Sequence, residues 1–225
     1  MVLLGAVMLA GLPARADPFH LTVEAGTEFP IDVGARVTFE LPGRLQLTGG
    51  VGFMPSGYTQ LINDTLVAFN AYDQATADLI QSSLQNSLLL HLRLGWRPFE
   101  RLGFYFQAGY MVGFLGGGAS AASVLAAGGR INIGTNNDRY DISTTVQGVT
   151  VEIGWAWLIE DRFQLRAALG GMHTFASSST ISKRGGNETA NDRTLESSAA
   201  AYIDSVMTTY VYSPMVTLTV GFRIF

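Results

Sequence analysis

The last ten residues of the chain, 216–225, alternate apolar and polar side chains and end on a phenylalanine. Successive side chains of an extended strand point to opposite faces, so this segment has one apolar face and one polar face. The apolar face consists of Val216, Leu218, Val220, Phe222 and Ile224. A segment with this two-residue period has to join a sheet in which one face is covered or shielded.

Seven further segments show the same period, at 21–25, 33–41, 45–53, 88–96, 104–114, 149–157 and 163–169. Their apolar positions carry no charge, which is typical of strands with one buried or lipid-facing side. The opposite positions hold the charged set Glu24, Asp32, Arg36, Glu40, His91, Arg93, Glu152, Arg166 and Arg223. The pattern predicts an all-β fold, an eight-stranded antiparallel up-and-down β-barrel.

Alternation alone does not say which face is inside, and a soluble barrel of lipocalin type would turn its apolar face inward. The volumes of the side chains favour the reverse arrangement. Most strand glycines share the polar parity, among them Gly34, Gly52, Gly95, Gly109 and Gly154. The lumen of an eight-stranded barrel is just wide enough to be filled by side chains, so the face with small residues is expected inside. An apolar exterior is the arrangement of a transmembrane β-barrel.

Composition agrees with a membrane barrel. The chain is 48% hydrophobic but only 14% charged, against about 25% in soluble domains. Its larger aromatics lie near strand ends, where we expect a lipid-facing girdle. The girdle residues are Phe39, Phe53, Trp96, Trp155 and Trp157. The chain has no cysteine, a net charge of −4 and no basic run, so we expect no disulfide and no nucleic-acid partner.

Short and long connections alternate along the chain. Residues 42–43, 97–101 and 160–162 are predicted turns, whereas 55–86, 116–143 and 177–206 are predicted long loops. Bacterial barrels place short turns in the periplasm and long loops outside, which puts both chain termini on the periplasmic side.

The second extracellular loop has a helical period. Between residues 58 and 84 its apolar residues gather on one arc, and polar residues such as Asn63 face away, so we predict an amphipathic helix that caps the barrel mouth. The apolar arc includes Leu61, Ile62, Leu66, Phe69, Tyr72, Leu79 and Ile80.

The N-terminus has the features of a signal peptide. An apolar run over residues 2–12 precedes Ala14-Arg15-Ala16, a small-x-small cleavage pattern. We therefore expect residues 1–16 to be removed and 17–225 to form the barrel. No basic residue precedes Arg15, so either translation starts further upstream or the signal is atypical.

Residues 17–225 resemble the small eight-stranded outer-membrane β-barrel proteins of Gram-negative bacteria. In that family the barrel-assembly machinery recognises a C-terminal aromatic in the last strand, and Gly221, Phe222 and Phe225 resemble this signal. Phe225 is out of phase with Phe222, which is unusual for the family. The resemblance implies export to the periplasm, insertion into the bacterial outer membrane, and contact with the lipid bilayer and lipopolysaccharide.

The charged set inside the predicted barrel is the main candidate for function. Its acids and arginines suit rigid bidentate pairing, and such a network either plugs the lumen or lines a narrow ion path; we favour the plug. His91 lacks the partners of a catalytic motif, and we expect no enzyme activity, no cofactor and no metal site. Loop residues Asn136, Asn137, Asp138 and Asp141 form a solvated turn more readily than a Ca²⁺ site.

The predicted function is therefore a structural or surface-interaction barrel that acts through its long extracellular loops, with a surface partner there. The first alternative is a narrow channel for small solutes or ions, and the least favoured is an outer-membrane enzyme. Lys183 and Arg184 either contact lipopolysaccharide phosphates or form a solvated loop tip, and the second is preferred.

Overall fold

The computed structural model describes residues 19–68, 86–99, 102–120, 139–185, 190–210 and 212–225, together with positions 74, 77 and 81. Within these ranges eight strands form a closed barrel, in which every strand pairs antiparallel with its sequence neighbours and the first pairs with the last. The strands are β1 (His20–Phe29), β2 (Asp32–Leu41), β3 (Leu45–Phe53), β4 (Asn86–Trp96), β5 (Phe104–Ser120), β6 (Arg139–Ile159), β7 (Phe163–Lys183) and β8 (Tyr212–Arg223). The predicted up-and-down barrel is confirmed. The predicted signal peptide, residues 1–16, lies outside the described residues.

The two faces of each strand differ as the alternation predicts. In β4, Leu92 and Leu94 are 56% and 69% exposed, whereas the neighbouring His91 and Arg93 are buried. The exterior aromatics pack in pairs near the strand ends. Trp96 meets Phe106 edge-on with ring centroids 5.7 Å apart, and Trp155 meets Phe104 at 5.4 Å. The structure also places Trp157 and Phe53 on the exterior and leaves Phe39 half-buried there.

Inner-wall glycines make room for the charged side chains of the lumen. A Cβ atom at Gly109 would lie 2.5 Å from Arg93 Cγ, and one at Gly221 would lie 2.5 Å from Glu24 Cγ. At Gly52 it would meet Asp32 Oδ2 at 2.7 Å. These distances are shorter than van der Waals contact, so the long side chains lie flat against a wall that only glycine leaves open.

Three strands continue well past the others. β5 has 17 residues and β6 and β7 have 21 each, whereas about 9–11 suffice to cross a bilayer. Residues 116–120, 139–143 and 177–183 are therefore strand, and their assignment to long loops was wrong. The misleading signal was composition, because the outward positions of this extension carry Ser, Thr and Gly instead of large apolar residues. A register shift between Gln147 and Gly148 marks where the barrel ends and the extension begins.

A helix that the sequence analysis missed covers the inner face of this extension. This helix, α2 (Ala190–Tyr210), buries Ala199, Ile203 and Met207, which recur every four residues. It packs on β7, where the hydroxyls of Ser177 and Ser179 donate to Asp204 Oδ1 at 2.8 and 2.7 Å. The four-residue spacing was the available signal, but it lay inside a segment assigned to loop.

The helix predicted in the second extracellular loop, residues 55–86, begins directly after β3 as α1 (Ser56–Ala68). Positions 74, 77 and 81 are also helical. The burial of the described side chains of α1 differs from the prediction at Leu61 and Asn63, whereas Ile62 is half-buried. Leu61 is 52% exposed, whereas Thr59 and Asn63 are buried. Asn63 is buried because its amide donates to the Ala77 carbonyl at 2.8 Å, which satisfies the polar group. The side chain of Leu66 and residues Phe69, Tyr72, Leu79 and Ile80 lie outside the described part of the chain.

The first turn of α1 contacts the barrel rim. The Tyr58 hydroxyl lies 2.8 Å from Thr27 Oγ1, and its ring packs edge-on against Phe29 at 5.0 Å. Among the described residues, no helix is both long enough and apolar enough to cross a membrane.

The C-terminus explains why Phe225 is out of phase. β8 ends at Arg223, and the last two residues continue pairing with β1 through Leu21, whose N–H donates to the Phe225 carbonyl at 3.2 Å. Phe225 then turns outward, is 56% exposed and stacks on Phe19 with centroids 5.7 Å apart. The terminal aromatic thus reaches the exterior although it breaks the alternation.

A charge on the exterior tests the assignment of the two faces. Leu92→Arg is expected to lower the free energy of unfolding by about 2–4 kcal/mol, the cost of a cation at mid-bilayer depth. Urea titration of the barrel in lipid vesicles measures this effect. The control is Ser143→Arg, an exposed outward position of the extension, which should change stability little. Equal stability of Leu92→Arg and the parent would contradict an apolar exterior in lipid.

The inner-wall glycines give a second, paired prediction. Gly109→Ala should destabilise the barrel by about 1–3 kcal/mol, because the added methyl group overlaps the Leu92 carbonyl oxygen as well as Arg93. Gly171→Ala should be neutral or slightly stabilising, since its Cβ would meet the Ser213 carbonyl oxygen at an ordinary 3.6 Å. The same urea titration compares them, and equal effects at the two sites would contradict this account of lumen packing.

Candidate functional site

The candidate site is an ionic network inside the barrel, built from inward-facing positions of β1, β2, β4, β6 and β7. Its centre is Glu28 on β1, which is 4% exposed. Arg93 Nη1 donates to Glu28 Oε1 at 2.7 Å, and Arg93 Nη2 donates to the second carboxylate oxygen. Arg36 Nη2 also donates to Oε1, at 2.5 Å. One carboxylate thus joins two guanidinium groups, one of them bidentate, which is the strong and rigid form of such a pair.

His91 extends this cluster towards β2. Its Nε2 lies 2.6 Å from Asp32 Oδ2, and its Nδ1 lies 3.2 Å from Arg93 Nη2. A guanidinium can only donate, so Nδ1 is the acceptor and Nε2 carries the proton that is donated to Asp32. Both ring nitrogens are therefore engaged.

A second cluster surrounds Arg166 on β7, whose side chain is fully buried. Its Nε lies 3.2 Å from Glu24 Oε1, and its guanidinium lies 4.5 Å above the centre of the Tyr105 ring. With the Gln107 amide nitrogen turned towards Glu152, the Gln107 oxygen accepts from Arg166 Nη1 at 3.1 Å. An ion pair, a cation–π contact and a neutral acceptor together hold this buried cation.

Glu152 on β6 joins the two clusters. It accepts from the Tyr105 hydroxyl at 3.3 Å and from the Thr217 hydroxyl at 3.1 Å, and its Oε2 lies 3.5 Å from Arg93 Nη1. The buried charges therefore form one connected network, in which Arg36 Nη1 and Arg166 Nη2 have no hydrogen-bond partner among the described residues.

The structure brings together seven of the predicted lumen residues, namely Glu24, Asp32, Arg36, His91, Arg93, Glu152 and Arg166. Glu40 and Arg223 lie at the short-turn end instead, where Glu40 pairs with Arg97 at 2.8 Å. Glu28 and Tyr105 were missed. Glu28 shares the parity of Glu24, but the predicted first strand stopped at residue 25, and Tyr105 is an aromatic on the polar parity of β5.

At the long-loop end the lumen changes from polar to apolar. Ile31, Leu89, Met111 and Met215 form a buried cluster there, with Met54 and Met172 packed against it. The three members on strands occupy positions of the polar parity, so the expectation of a polar lumen was wrong at this level. The apolar layer covers the charged layer on the side of the long loops.

A cavity of about 10 Å³ lies beside Glu28, Asp32, His91 and Arg93, roughly the space that one water molecule occupies. This cavity has room for no more than a water molecule.

The same residues form the one metal-type cluster found among the described residues. Donor atoms of Glu28, Asp32 and His91 lie within 4.8 Å of one another. Arg36 and Arg93 pair with Glu28, and Arg93 also occupies His91 Nδ1. Two guanidinium groups this close repel a cation, so the geometry suits ion pairing better than metal binding.

The other predicted polar sites lie outside the lumen. Asp141 on the extension pairs with Arg184 at 2.5 Å in an exposed position, and the hydrogen bond with Asp141 raises the pKa of Arg184. Lys183 Nζ lies 3.5 Å from Asp192 Oδ2 on α2. Asn136, Asn137 and Asp138, the other residues of the predicted solvated turn, lie outside the described residues.

Removal of a central cation tests the network. Arg93→Ala should lower the free energy of unfolding by about 3–5 kcal/mol, because Glu28 and Glu152 lose a buried partner. The measurement is urea titration of the folded barrel in vesicles. The control is Arg184→Ala, which breaks an exposed ion pair and should have little effect. Similar behaviour of the two variants would show that the buried pairs contribute no more than surface pairs.

No family model matches the chain, and no curated protein matches it. Among solved structures, a major outer membrane protein of Thermus thermophilus is similar at TM-score 0.53 and 16% identity, over 92% of this chain and all of that one. Two others match less well over 92% of this chain. They are the N-terminal β-barrel domain of Pseudomonas aeruginosa OprF (TM-score 0.45, 11% identity, 96% of that chain) and Acinetobacter baumannii CarO (0.39, 15%, 97%). The chain therefore has the fold of an eight-stranded outer-membrane β-barrel.

Proposed function

We propose that this protein is an outer-membrane barrel with a closed lumen, which acts as a structural or surface-interaction protein through its extracellular side. The observation that carries the proposal is closure at two successive levels. The buried ion pairs around Glu28 and Arg166 fill the lower lumen, and the apolar cluster around Met111 fills the upper lumen. A barrel filled in this way serves as an anchor in the membrane. The polar surface available for interactions then lies above the barrel, on the extension of β5, β6 and β7.

The surface that the anchor presents is the three-stranded extension of β5, β6 and β7 with α2 on its inner face. Two serine hydroxyls of β7 bond to Asp204, and the backbone N–H of Lys183 donates to Glu196 Oε1 at 2.8 Å. These polar contacts fix the helix against the sheet. A fixed surface of this kind suits recognition better than a loose loop does.

The second candidate is a narrow channel for small solutes or ions. It is favoured by the series of charged groups from Glu40 and Arg97 to Asp32 and His91. Conduction through that series requires the pairs to exchange partners and the apolar cluster to open. The closed packing supports the first proposal over this one.

Enzyme activity has less support. The pair His91–Asp32 resembles part of a catalytic relay, but Arg93 occupies the second ring nitrogen. A general base needs a free lone pair within reach of its substrate. We therefore propose a non-enzymatic role, with the bilayer as the main partner.

The cellular steps implied by the family resemblance belong to this proposal as well. The outward, stacked Phe225 supports recognition by the barrel-assembly machinery after export to the periplasm. The apolar exterior supports the outer membrane as the final location, where lipopolysaccharide surrounds the long-loop end.

Electrical recording tests closure directly. The purified barrel in a planar bilayer should show no steady conductance, because both layers of the lumen are packed. A disulfide between Ser179→Cys and Asp204→Cys should form readily, since the two side chains touch at 2.7 Å, and the locked barrel should also be silent. The chain has no native cysteine, so the pair is unambiguous.

The control pair is Ser182→Cys with Asp204→Cys, because Ser182 faces outward and should not cross-link. Steady ohmic conductance of the parent would overturn the closed barrel and favour the channel. Efficient cross-linking of the control pair would contradict the placement of α2.

A further inference from the structure

The apolar cluster of the upper lumen is rich in sulfur. Met111 and Met215 are each 1% exposed within it, and the half-buried Met54 and Met172 pack against this cluster. These are four of the five methionines that follow residue 16, the fifth being Met207 on α2. They come from the end of β3 and from β5, β7 and β8, so the fold brings them together from four distant parts of the chain.

Packing alone does not account for the choice of methionine. Among the described residues, the exposed large apolar side chains of the barrel exterior include no methionine. Ile31 and Leu89 fill the same layer of the lumen with hydrocarbon, and leucine replaces methionine in a core at little cost. What a thioether adds is a soft, polarisable sulfur that can ligate a metal ion.

The methionines adjoin the charged layer of the lumen. Met111 is the cross-strand partner of His91. On the neighbouring wall Val33 pairs with Phe53, so the next residues towards the long-loop end are Asp32 on β2 and Met54 after β3. The sulfur atoms therefore belong to the layer next to the Asp32–His91 pair, whose hydrogen-bonding atoms are 2.6 Å apart.

The charged layer carries a surplus negative charge. Its buried ionic groups are four carboxylates and three guanidinium groups, those of Glu24, Glu28, Asp32, Glu152, Arg36, Arg93 and Arg166. His91 adds no charge, because its Nδ1 accepts from Arg93 and its Nε2 donates to Asp32. The ionic groups around Glu40 at the short-turn end are only half-buried and lie closer to water.

The surplus lies on the side of the methionines. Within the described part of the chain, the Asp32 carboxylate hydrogen-bonds only to the neutral His91 ring, whereas Glu28 pairs with both Arg36 and Arg93. An unbalanced charge in a closed, low-dielectric space is costly unless a counter-ion lies near it. A single positive charge in the methionine layer balances the lumen.

We propose that Met54, Met111, Met172 and Met215 form a binding site for one monovalent soft metal ion, Cu(I). Thioethers select this ion over harder cations. They carry no charge themselves, so the one positive charge of Cu(I) offsets the surplus at Asp32, whereas a divalent ion would reverse the imbalance. The half-buried Met54 and Met172 give the ion access from the long-loop end. This role concerns the lumen and goes beyond the surface role proposed above.

The site is distinct from the Glu28, Asp32 and His91 cluster. That cluster offers oxygen and nitrogen donors, and Arg93 occupies donor atoms of both Glu28 and His91. Thioethers do not pair with guanidinium groups in this way, so the methionine sulfurs keep their lone pairs for a metal. The expectation that the chain has no metal site took account of cysteine, histidine and oxygen ligands and not of thioethers.

The test is Cu(I) binding by the purified, folded barrel in detergent. Under anaerobic conditions with ascorbate, the protein competes for Cu(I) with the chromophoric chelator bicinchoninate, and the loss of colour gives affinity and stoichiometry. The parent should bind one Cu(I) per barrel. Met111→Leu combined with Met215→Leu keeps the volume of the core and should weaken binding by at least about tenfold, since even the loss of an outer-shell partner costs that much.

Two further variants separate ligation from other effects. Met207→Leu removes a buried thioether outside the cluster and should leave the affinity for Cu(I) unchanged. Asp32→Asn keeps all four sulfur atoms and removes the surplus charge, and it should weaken binding by about tenfold. Folding of each variant is checked by its gel mobility before and after heating. If the double variant fails to fold, Met54→Leu and Met172→Leu at the half-buried positions replace it.

A second readout identifies the ligands directly. With carbon-13 in the methionine methyl groups, addition of Cu(I) should shift the NMR signals of Met54, Met111, Met172 and Met215. The signal of Met207 should not move. These signals report the position of the ion without any substitution.

A parent that binds Cu(I) no better than the Met111→Leu, Met215→Leu variant would overturn the inference, as would unmoved methyl signals in the cluster. Equal affinity for Zn²⁺ would do the same, because that ion selects imidazole and carboxylate ligands. Unchanged affinity in Asp32→Asn would overturn the role of charge balance. Conductance of the same samples keeps the two proposals distinct, since a conducting parent that binds Cu(I) overturns only the closed lumen.

Discussion

The constraint on which the rest of the structure depends is that a barrel of eight strands in a bilayer has to satisfy every polar group from within. Lipid offers no hydrogen bonds, so the sheet must close and β1 must pair with β8. Eight strands enclose a lumen only as wide as its own side chains. Any charge that faces inward therefore meets other side chains instead of bulk water. The connected ion pairs around Glu28, Arg93 and Arg166 are the consequence.

This constraint also accounts for the distribution of small residues. A long charged side chain in so narrow a space has to lie along the barrel wall, and Gly109 and Gly221, the cross-strand neighbours of Arg93 and Glu24, leave room for it there. The hydrophobic exterior could tolerate a glycine only by leaving a hollow, as Gly171 does. Inner glycines are thus a requirement of packing, whereas an outer glycine leaves a hollow in the apolar exterior. The same residue type has opposite consequences on the two faces.

The parts of the fold that follow from the two-residue alternation of apolar and polar side chains were predicted correctly. The errors lie where something other than this alternation determines the residue type. All eight strands and the network members from Glu24 to Arg166 follow from parity. The apolar layer at Met111 was missed because closure of the upper lumen excludes water, and buried apolar side chains then replace polar ones. The extension was missed because its outward face meets an aqueous surface, where Ser and Thr take the positions that Leu and Val occupy in lipid. The burial of Asn63 on α1 was not predicted because its amide donates to a backbone carbonyl. A pattern of apolar residues does not reveal such a hydrogen bond.

These three failures lie at the long-loop end, whereas the misplaced Glu40 and Arg223 and the missed Tyr105 lie towards the short turns. Between the short turns and Tyr110 on β5, the bilayer determines which residue types face outward and the narrow lumen determines which face inward. The alternation in the sequence is therefore enough to assign the two faces there. Above that level neither constraint acts, and the chain uses the freedom to extend three strands, add α2 and cover one sheet face with hydroxyls. A residue in this region is therefore not explained by membrane insertion or by lumen packing. For that reason the outward faces of β6 and β7 carry exposed Ser and Thr residues at this end, where the same faces lower down carry large apolar residues.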